Sequence, residues 1–393
     1  MGKTVIIQPM HSLLRYAIHK QEETIRMLKA MVECESPSDA PDEVNRLVDL
    51  LVEQTRDFAK PKVIRNRTRG NHLLLEFLLP QPKRARNRAA SSILALGHSD
   101  TVWEMGTLKT MPFRRAEGRL WGPGVLDMKS GIAFLFAACR ALRELDIEVC
   151  RKVRLLVVSD EEVGSETSRA LTEAEARRSG AVLVLEPGTG LSGKLKTARK
   201  GVGDYTITVR GKAAHAGVDF LNGASAIVEL ARQIEKVAGF TDLDRGITVN
   251  PGIIAGGTRT NVIAAEARVE VDIRVVRAKD APPLDRKFRC LKPIDRRCQI
   301  TVEGGLNRPP MERTRAVADL FQRACGIASQ MGMSLEESST GGGSDGNFTA
   351  ALGIPTLDGL GGVGEGAHAL NESILVDRIA DRTALLAGLL AGL

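Results

Sequence analysis

Apolar positions recur every three to four residues over Gln21–Cys34 and again over Asp42–Arg56. Each stretch predicts an amphipathic helix, with the turn-forming run Ser36-Pro37-Ser38-Asp39 between them. The period then changes. Short apolar runs at His72–Leu79, Ile93–Gly97, Val153–Ser159 and Ala181–Leu185 have the length and near-continuous hydrophobicity of buried strands. Between the second and third of these, Ser130–Glu144 reads as an apolar helix. Buried strands alternating with helices predict an α/β fold, a mixed and largely parallel sheet sandwiched by helices.

From about Lys194 the pattern differs. A strand at Tyr205–Val209, a helix at Ala224–Val237, strands at Ile247–Ile254 and Ala267–Val276 and a last strand at Gln299–Val302 predict a βαββ-like unit. The segment Asp280–Pro293 within it is short and interrupted by prolines. A helix at Arg315–Met331, a glycine-rich turn, a strand at Thr356–Leu360 and a closing helix then return to the first pattern. The simplest organisation is a discontinuous α/β domain, residues 1–193 and 307–393, interrupted by an inserted α+β domain at 194–306. There is no internal repeat.

A chain of 393 residues is long enough for two packed domains, and 43% hydrophobic with 26% charged residues excludes wholesale disorder. No apolar run reaches the length of a membrane span, and MGKTVIIQPMHSLLRYAIHK has no apolar stretch leading to a cleavage site, so neither a membrane partner nor a secretion signal is expected. Cys34, Cys139, Cys150, Cys290, Cys298 and Cys325 are scattered with no CxxC pair, which predicts reduced thiols and a cytoplasmic location. The formal charge of +7 is uneven: ten Lys or Arg residues lie between Arg56 and Arg88 against Asp57 and Glu76. Such a run attracts nucleic acid by charge alone, but only Phe58 and Phe77 are interleaved, so base-stacking platforms are missing. A solvated basic hairpin is the expectation, without a nucleic-acid partner.

Candidate chemistry gathers where the strands end. Ile93–Gly97 runs into His98-Ser99-Asp100, Val153–Ser159 into Asp160-Glu161-Glu162, and Ala181–Leu185 into Glu186-Pro187. Open α/β sheets bind ligands at the carboxyl ends of their strands. Asp127 sits in the turn Gly122-Pro123-Gly124-Val125-Leu126-Asp127, and His368 in Gly364-Glu365-Gly366-Ala367-His368. One imidazole and two carboxylates form an ordinary zinc ligand set, and two such sets can be drawn if one Asp is shared. The His98-x-Asp100 spacing suits an aspartate that takes the second ring N–H of a ligating histidine. Of six histidines, His11, His19 and His72 have no comparable setting.

The motifs GHSDTV (97–102), GPGVLDMKSG (122–131), SDEEVGS (159–165), EPG (186–188), RGKAAHAG (210–217), GGGSDG (341–346) and GEGAH (364–368) occur in one order along the chain. In that order they resemble the co-catalytic zinc aminopeptidase/carboxypeptidase family, which includes glutamate carboxypeptidase, acetylornithine deacetylase, succinyl-diaminopimelate desuccinylase and aminoacylase. The resemblance spans residues 20 to 385. TARKGVGDYTITVRGKAAHAG, GTLKTMPFR and GGLNRPP look most like the glutamate carboxypeptidase branch.

The resemblance implies two divalent ions, zinc in the family, although the same ligands accept cobalt or manganese. His98 and Glu186 would hold one, Glu162 and His368 the other, and Asp127 would bridge, followed by a cis peptide at Asp127–Met128. Glu161 would be the general base and Asp100 the partner of His98. His215, from a ferredoxin-like inserted domain serving as lid and dimerisation surface, would reach the site of the partner subunit in a homodimer. Arg274, Asn261 and Gly343 would receive the substrate's free carboxylate, a task suited to the planar fork of arginine and the bare backbone of glycine. The implied reaction is hydrolysis of the amide bond of an N-acyl amino acid or small peptide, releasing a C-terminal amino acid, with glutamate favoured. Deacetylation of the acetylornithine deacetylase type is the alternative. Two departures stand out: Asp280–Pro293 is short where the family carries a longer helix, and Ala369-Leu370 follow His368 where small hydroxyl residues are usual.

Two rivals come from other classes. Gly342-Gly343-Ser344-Asp345-Gly346 satisfies G-x-S-x-G, and Ser344, Asp358 and His368 fall in serine-hydrolase order. That reading leaves Asp127, Glu161, Glu162 and Glu186 without a purpose. A non-catalytic binding protein on the same fold would have lost Glu161 or a ligand, and none is lost.

Overall fold

The computed structural model describes residues 7–82 and 91–393. Lys83, Arg84, Arg86 and Arg88 of the basic run, and the first six residues of the chain, lie outside it. The chain divides into two compact units, one of Met1–Thr197, Arg313–Ser339 and Ser344–Leu393, the other of Ala198–Glu312 with Thr340–Gly343.

The first unit is built on a six-stranded sheet in the order Ala59–Ile64, His72–Phe77, Val153–Val158, Ser92–His98, Ser179–Val184, Thr356–Leu357. The last four strands run parallel, and the first two add an antiparallel hairpin. Every residue of Ser92–His98 is buried, which explains its unbroken apolar sequence: both faces of the strand are covered. Because that strand lies between Val153–Val158 and Ser179–Val184, the residues that follow all three emerge side by side at one sheet edge. The outermost strand, Ala59–Ile64, leaves Lys60, Pro61 and Lys62 exposed.

Two helices, Ser130–Glu144 and Ile379–Gly392, pack on each other and are buried nearly all round, as their apolar composition requires. A helix at Ile7–His19, not anticipated from sequence, packs on the closing helix and buries Met10, Leu13 and Ala17 in the same core. The Ser130–Glu144 helix comes unusually close to the strand end before Glu186. A Cβ on Gly131 would stand 2.1 Å from the Leu185 carbonyl oxygen, and one on Gly361 would meet the same oxygen at 2.1 Å. At both positions glycine serves close approach.

The second unit is an antiparallel sheet in the order Thr248–Gly256, Glu266–Val275, Gly201–Arg210, Gln299–Arg308. Helices Ala226–Ala238 and Ala281–Arg289 make the chain order βαββαβ, the ferredoxin-like arrangement. Burial alternates along the strands, with Tyr205, Ile207 and Val209 beside Val269, Val271 and Ile273 in one core. The proline-interrupted segment corrects the sequence reading. It is helical from Ala281, with the prolines in the first turn, where a missing N–H removes no helical bond. Phe288 of that helix stacks on Tyr205 at 3.9 Å between ring centroids, and the Tyr205 hydroxyl donates to Asp285 at 2.6 Å. The last strand also runs on to Arg308: Gly304 and Gly305 interrupt the apolar pattern but not the ladder.

Candidate metal centre

His98 is the final residue of its strand and only 2% exposed. Its Nε2 lies 3.3 Å from Asp127 Oδ1 and 3.6 Å from Glu186 Oε1. His368 Nε2 lies 3.4 Å from Asp127 Oδ2 and 3.3 Å from Glu162 Oε1. Each oxygen of Asp127 therefore faces a different histidine. Asp127 follows Gly124 in a left-handed turn (φ 71°), and the Asp127–Met128 peptide is cis. His368 also adopts a left-handed conformation, φ 62°, between the short strands Gly364–Glu365 and Ser373–Leu375. Glu161 and Glu162 share a single 3-10 turn and part company there. Donor atoms of His98, Glu161 and Glu186 fall within 4.8 Å of one another, as do those of His98, Asp127 and Glu162.

The orienting contacts differ in part from expectation. His98 Nδ1 makes its 2.8 Å hydrogen bond with the backbone oxygen of Asp100, and the Asp100 carboxylate stands at 3.5 Å. That carboxylate accepts from the backbone N–H of Glu161 and of Glu162, each at 3.2 Å, and from Ser38 Oγ at 2.8 Å. Asp100 thus ties the end of one strand to the turn that ends the next. His72 is structural: Ser159 N–H donates to its Nδ1 at 3.2 Å, and burial lowers its pKa against the pull of Asp160.

Four carboxylates, those of Asp127, Glu161, Glu162 and Glu186, converge on two imidazoles. Their formal charge would be balanced by two divalent cations, and protons on the two imidazoles can supply part of the same balance. The titration behaviour has that form. Burial alone would depress His98, but hydrogen bonds with Asp100 and Asp127 raise its pKa well above the ordinary range. Asp127 and Glu162 raise His368 to about 10. Burial would raise Asp127, yet the two histidines hold it far below the carboxylate range. Oxygen and imidazole donors around one shared aspartate fit a two-cation centre.

The remaining residues singled out from sequence lie in the second unit, in two groups. His215 and Asn261 are neighbours, because Ala216 N–H donates to the Asn261 oxygen at 3.0 Å and His215 bridges to Val262. Both side chains are exposed. Backbone N–H groups of Gly217 and Val218 donate to His215 Nδ1 at 3.1 and 3.2 Å, which leaves Nε2 as the donor of the neutral ring. In the other group, Arg274 gives Nε and Nη2 to Asp272 at 3.0 and 2.7 Å and Nη1 to the Gly341 oxygen at 3.3 Å. Arg199 donates to the oxygens of Gly342 and Gly343 at 3.2 and 2.9 Å. The glycine loop is therefore gripped by its carbonyls, through arginine contacts that sequence spacing does not reveal.

The serine triad does not form. Ser344 is fully buried and donates to Asp358 at 2.8 Å, whereas His368 Nε2 faces Asp127 and Glu162.

The model of peptidase family M20/M25/M40 matches residues 94–392. The chain belongs to that family. As an M20-type peptidase it is a metallohydrolase. It is 29% identical over 289 residues to carboxypeptidase G2 of Pseudomonas sp. (strain RS-16), covering 72% of this chain and 69% of that one. Among solved structures it resembles aminopeptidase PepT from Bacillus cereus, with TM-score 0.76, 22% identity, and 95% of this chain and 98% of that chain covered. It also resembles the Bacillus subtilis YxeP protein, a dinuclear metal-binding peptidase of the M20 family, with TM-score 0.65, 13% identity, and 94% and 97% covered.

One residue that motif reading passes over stands inside this M20 centre. Glu372, completely buried four positions after His368, accepts hydrogen bonds from the turn that carries Asp127. Its signal in the sequence is a lone Glu beside the His368 turn, and only the fold shows what it holds.

Proposed function

We infer that this peptidase uses two divalent ions, zinc by family resemblance, to hydrolyse the amide bond of an N-acyl amino acid or small peptide and release its C-terminal residue, with glutamate favoured. The observation that carries the reading is Asp127, whose two oxygens face His98 and His368 separately. Likeness to carboxypeptidase G2 supports release of a C-terminal residue, and the motif resemblance to the glutamate carboxypeptidase branch is what favours glutamate. When bound, the ions would supply Lewis acidity to the scissile carbonyl and acidify the attacking water. His98, Glu186, Glu162 and His368 would hold them around the shared Asp127. Glu161 takes the water's proton and returns it to the leaving amine. Its backbone is fixed for that task by Asp100. His215, with Nε2 left as donor, suits stabilisation of an oxyanion, and we assign that role to it across a homodimer formed through the second unit.

Arg274 would receive the substrate carboxylate. Asp272 occupies the side of its guanidinium formed by Nε and Nη2, so a carboxylate would dock end-on, between Nη1 and Nη2. Asn261 would add a polar contact, and Gly343 room for close approach. All six cysteines are free, which supports a reducing compartment, the cytoplasm. No helix among the described residues is long and apolar enough to cross a membrane.

The test is a panel of N-acyl amino acids and dipeptides with varied C-terminal residues, run with added zinc. Release of glutamate faster than of other residues is expected. Absence of turnover on every member by protein loaded with two ions would sink the assignment.

A further inference from the structure

We propose that Glu372 is the positioning residue of the centre: it fixes where Asp127 presents its two oxygens and so holds the two metal subsites in register. The inference rests on the two-metal reading above. Glu372 Oε1 accepts from Leu126 N–H at 2.8 Å and Asp127 N–H at 3.0 Å, and Oε2 from Gly124 N–H at 2.9 Å and the Trp103 indole at 2.8 Å. The Gly122 N–H reaches the Glu372 backbone oxygen at 3.4 Å as well. Three amides of the Asp127 turn thus converge on one anion, in the manner of backbone nests that bind external anions, and here the anion is the protein's own side chain.

The same residue is bound to the other histidine's turn. Glu372 N–H donates to the Ala369 oxygen at 2.9 Å and Ala369 N–H to Gly366 at 2.8 Å, so His368 and Glu372 belong to one short folded loop. Through Glu372 that loop is pinned to the backbone of Asp127, and the pinning is independent of any contact between His368 and Asp127 side chains. A position carrying only packing load would accept many side chains. This one demands a carboxylate, because all four partners of its two oxygens are donors. A glutamine would direct its NH2 at two donors in either orientation and break two of the four bonds. An aspartate keeps the acceptors but falls one methylene short.

The experiment compares wild type, Glu372→Gln, Glu372→Asp, Trp103→Phe and the double variant Glu372→Gln/Trp103→Phe. Metal content is measured after equilibration with buffered zinc, the visible spectrum after cobalt substitution, and thermal unfolding after chelation. Glu372→Gln is expected to weaken metal binding by about 10–100-fold, with an altered cobalt spectrum and a lowered kcat at little-changed KM. Removing the indole donor should restore part of the loss, because the glutamine NH2 then meets one opposed donor and not two. Glu372→Asp should fall between wild type and Glu372→Gln. A Glu372→Gln protein with wild-type zinc affinity and cobalt spectrum, changed only in melting temperature, overturns the proposal. If that variant does not fold, Trp103→Phe alone decides: it should shift the cobalt spectrum, and an unchanged spectrum counts against the proposal. Wild-type protein that takes up fewer than two ions instead overturns the two-metal reading itself.

Discussion

Gly131→Ala is a small change with a large expected effect. The new Cβ would lie 2.1 Å from the Leu185 oxygen, whereas real Cβ contacts essentially never fall under 3.0 Å, so helix and strand end must separate by about 0.9 Å. Neither side yields easily, because Leu185 is fully buried and its oxygen is also pressed by Gly361. Gly131 follows Asp127 by four residues, and Leu185 directly precedes Glu186. The strain therefore falls on the separation of two carboxylates that face His98. Overpacking of this kind costs about 1–3 kcal/mol of stability. Misplacement of catalytic groups by ~1 Å lowers turnover about 100-fold, equivalent to about 2.7 kcal/mol in the barrier. Hydrolysis of an N-acyl glutamate, zinc content and thermal unfolding should be measured together. Gly326→Ala is the control, since a Cβ there meets nothing within 4 Å and alanine should stabilise the helix by roughly 0.5–1 kcal/mol. A folded Gly131→Ala protein with turnover within about threefold of wild type would refute the link between this contact and the centre.

Other expectations follow from single contacts. Glu161→Gln should keep both ions in a metal assay but lower kcat by about 10²–10⁴-fold; parallel loss of metal would reverse the roles given to Glu161 and Glu162. Asp272→Ala should raise KM about tenfold with kcat nearly unchanged, as Arg274 loses the partner that orients it; an unaltered KM would remove Arg274 from the carboxylate site. Ser344→Ala should retain turnover and resist no less than wild type a serine-directed reagent, with a stability loss of about 1 kcal/mol for the bond to Asp358. Inactivation of wild type by that reagent would revive the serine hydrolase. For pH, His368 is raised from 6.5 to about 10 in the metal-free protein. Its protonated form therefore stabilises fully below about 6.5, and the contribution fades as pH rises toward 10. Asp127, being depressed, acts in the other direction: its contribution is present above its ordinary value and fades only in acid. Chelator-treated protein should lose melting temperature between pH 6.5 and 10, while zinc should bind more tightly over the same span as the competing proton leaves. A flat metal-free profile would count against this balance.

The candidate ligands His98, Glu162 and Glu186 are legible because each lies just past an apolar run that ends a strand, whereas Asp127 and His368 sit in glycine-flanked turns and only motif order singles them out. What sequence could not give was any role exercised through backbone atoms. Asp100 was expected to touch His98 with its carboxylate, but the carbonyl does so, leaving the carboxylate to hold Glu161 and Glu162. Glu372 acts on amides whose direction is set by a turn, and a turn's amide directions are not written in residue type. Arg274 was matched by motif, whereas its grip on Asp272 depends on their sharing one side of a strand at i and i+2. The Ala281–Arg289 helix was hidden by two prolines that break a helix in its middle and open one at its start.

The outermost strand, Ala59–Ile64, bears on how the molecule behaves in a crowded solution. A free sheet edge is a template on which another chain can add, and the first step toward aggregation is often the pairing of two such edges. Pro61 has no N–H to offer a newcomer, and it is tolerated because its neighbour on the inner side, Leu75, does not need one. Lys60 and Lys62 flank it and carry their charge at the rim. Part of the basic run is thereby accounted for as a guard on the sheet: replacing Lys60, Pro61 and Lys62 with threonine or valine should leave turnover intact and make the protein self-associate.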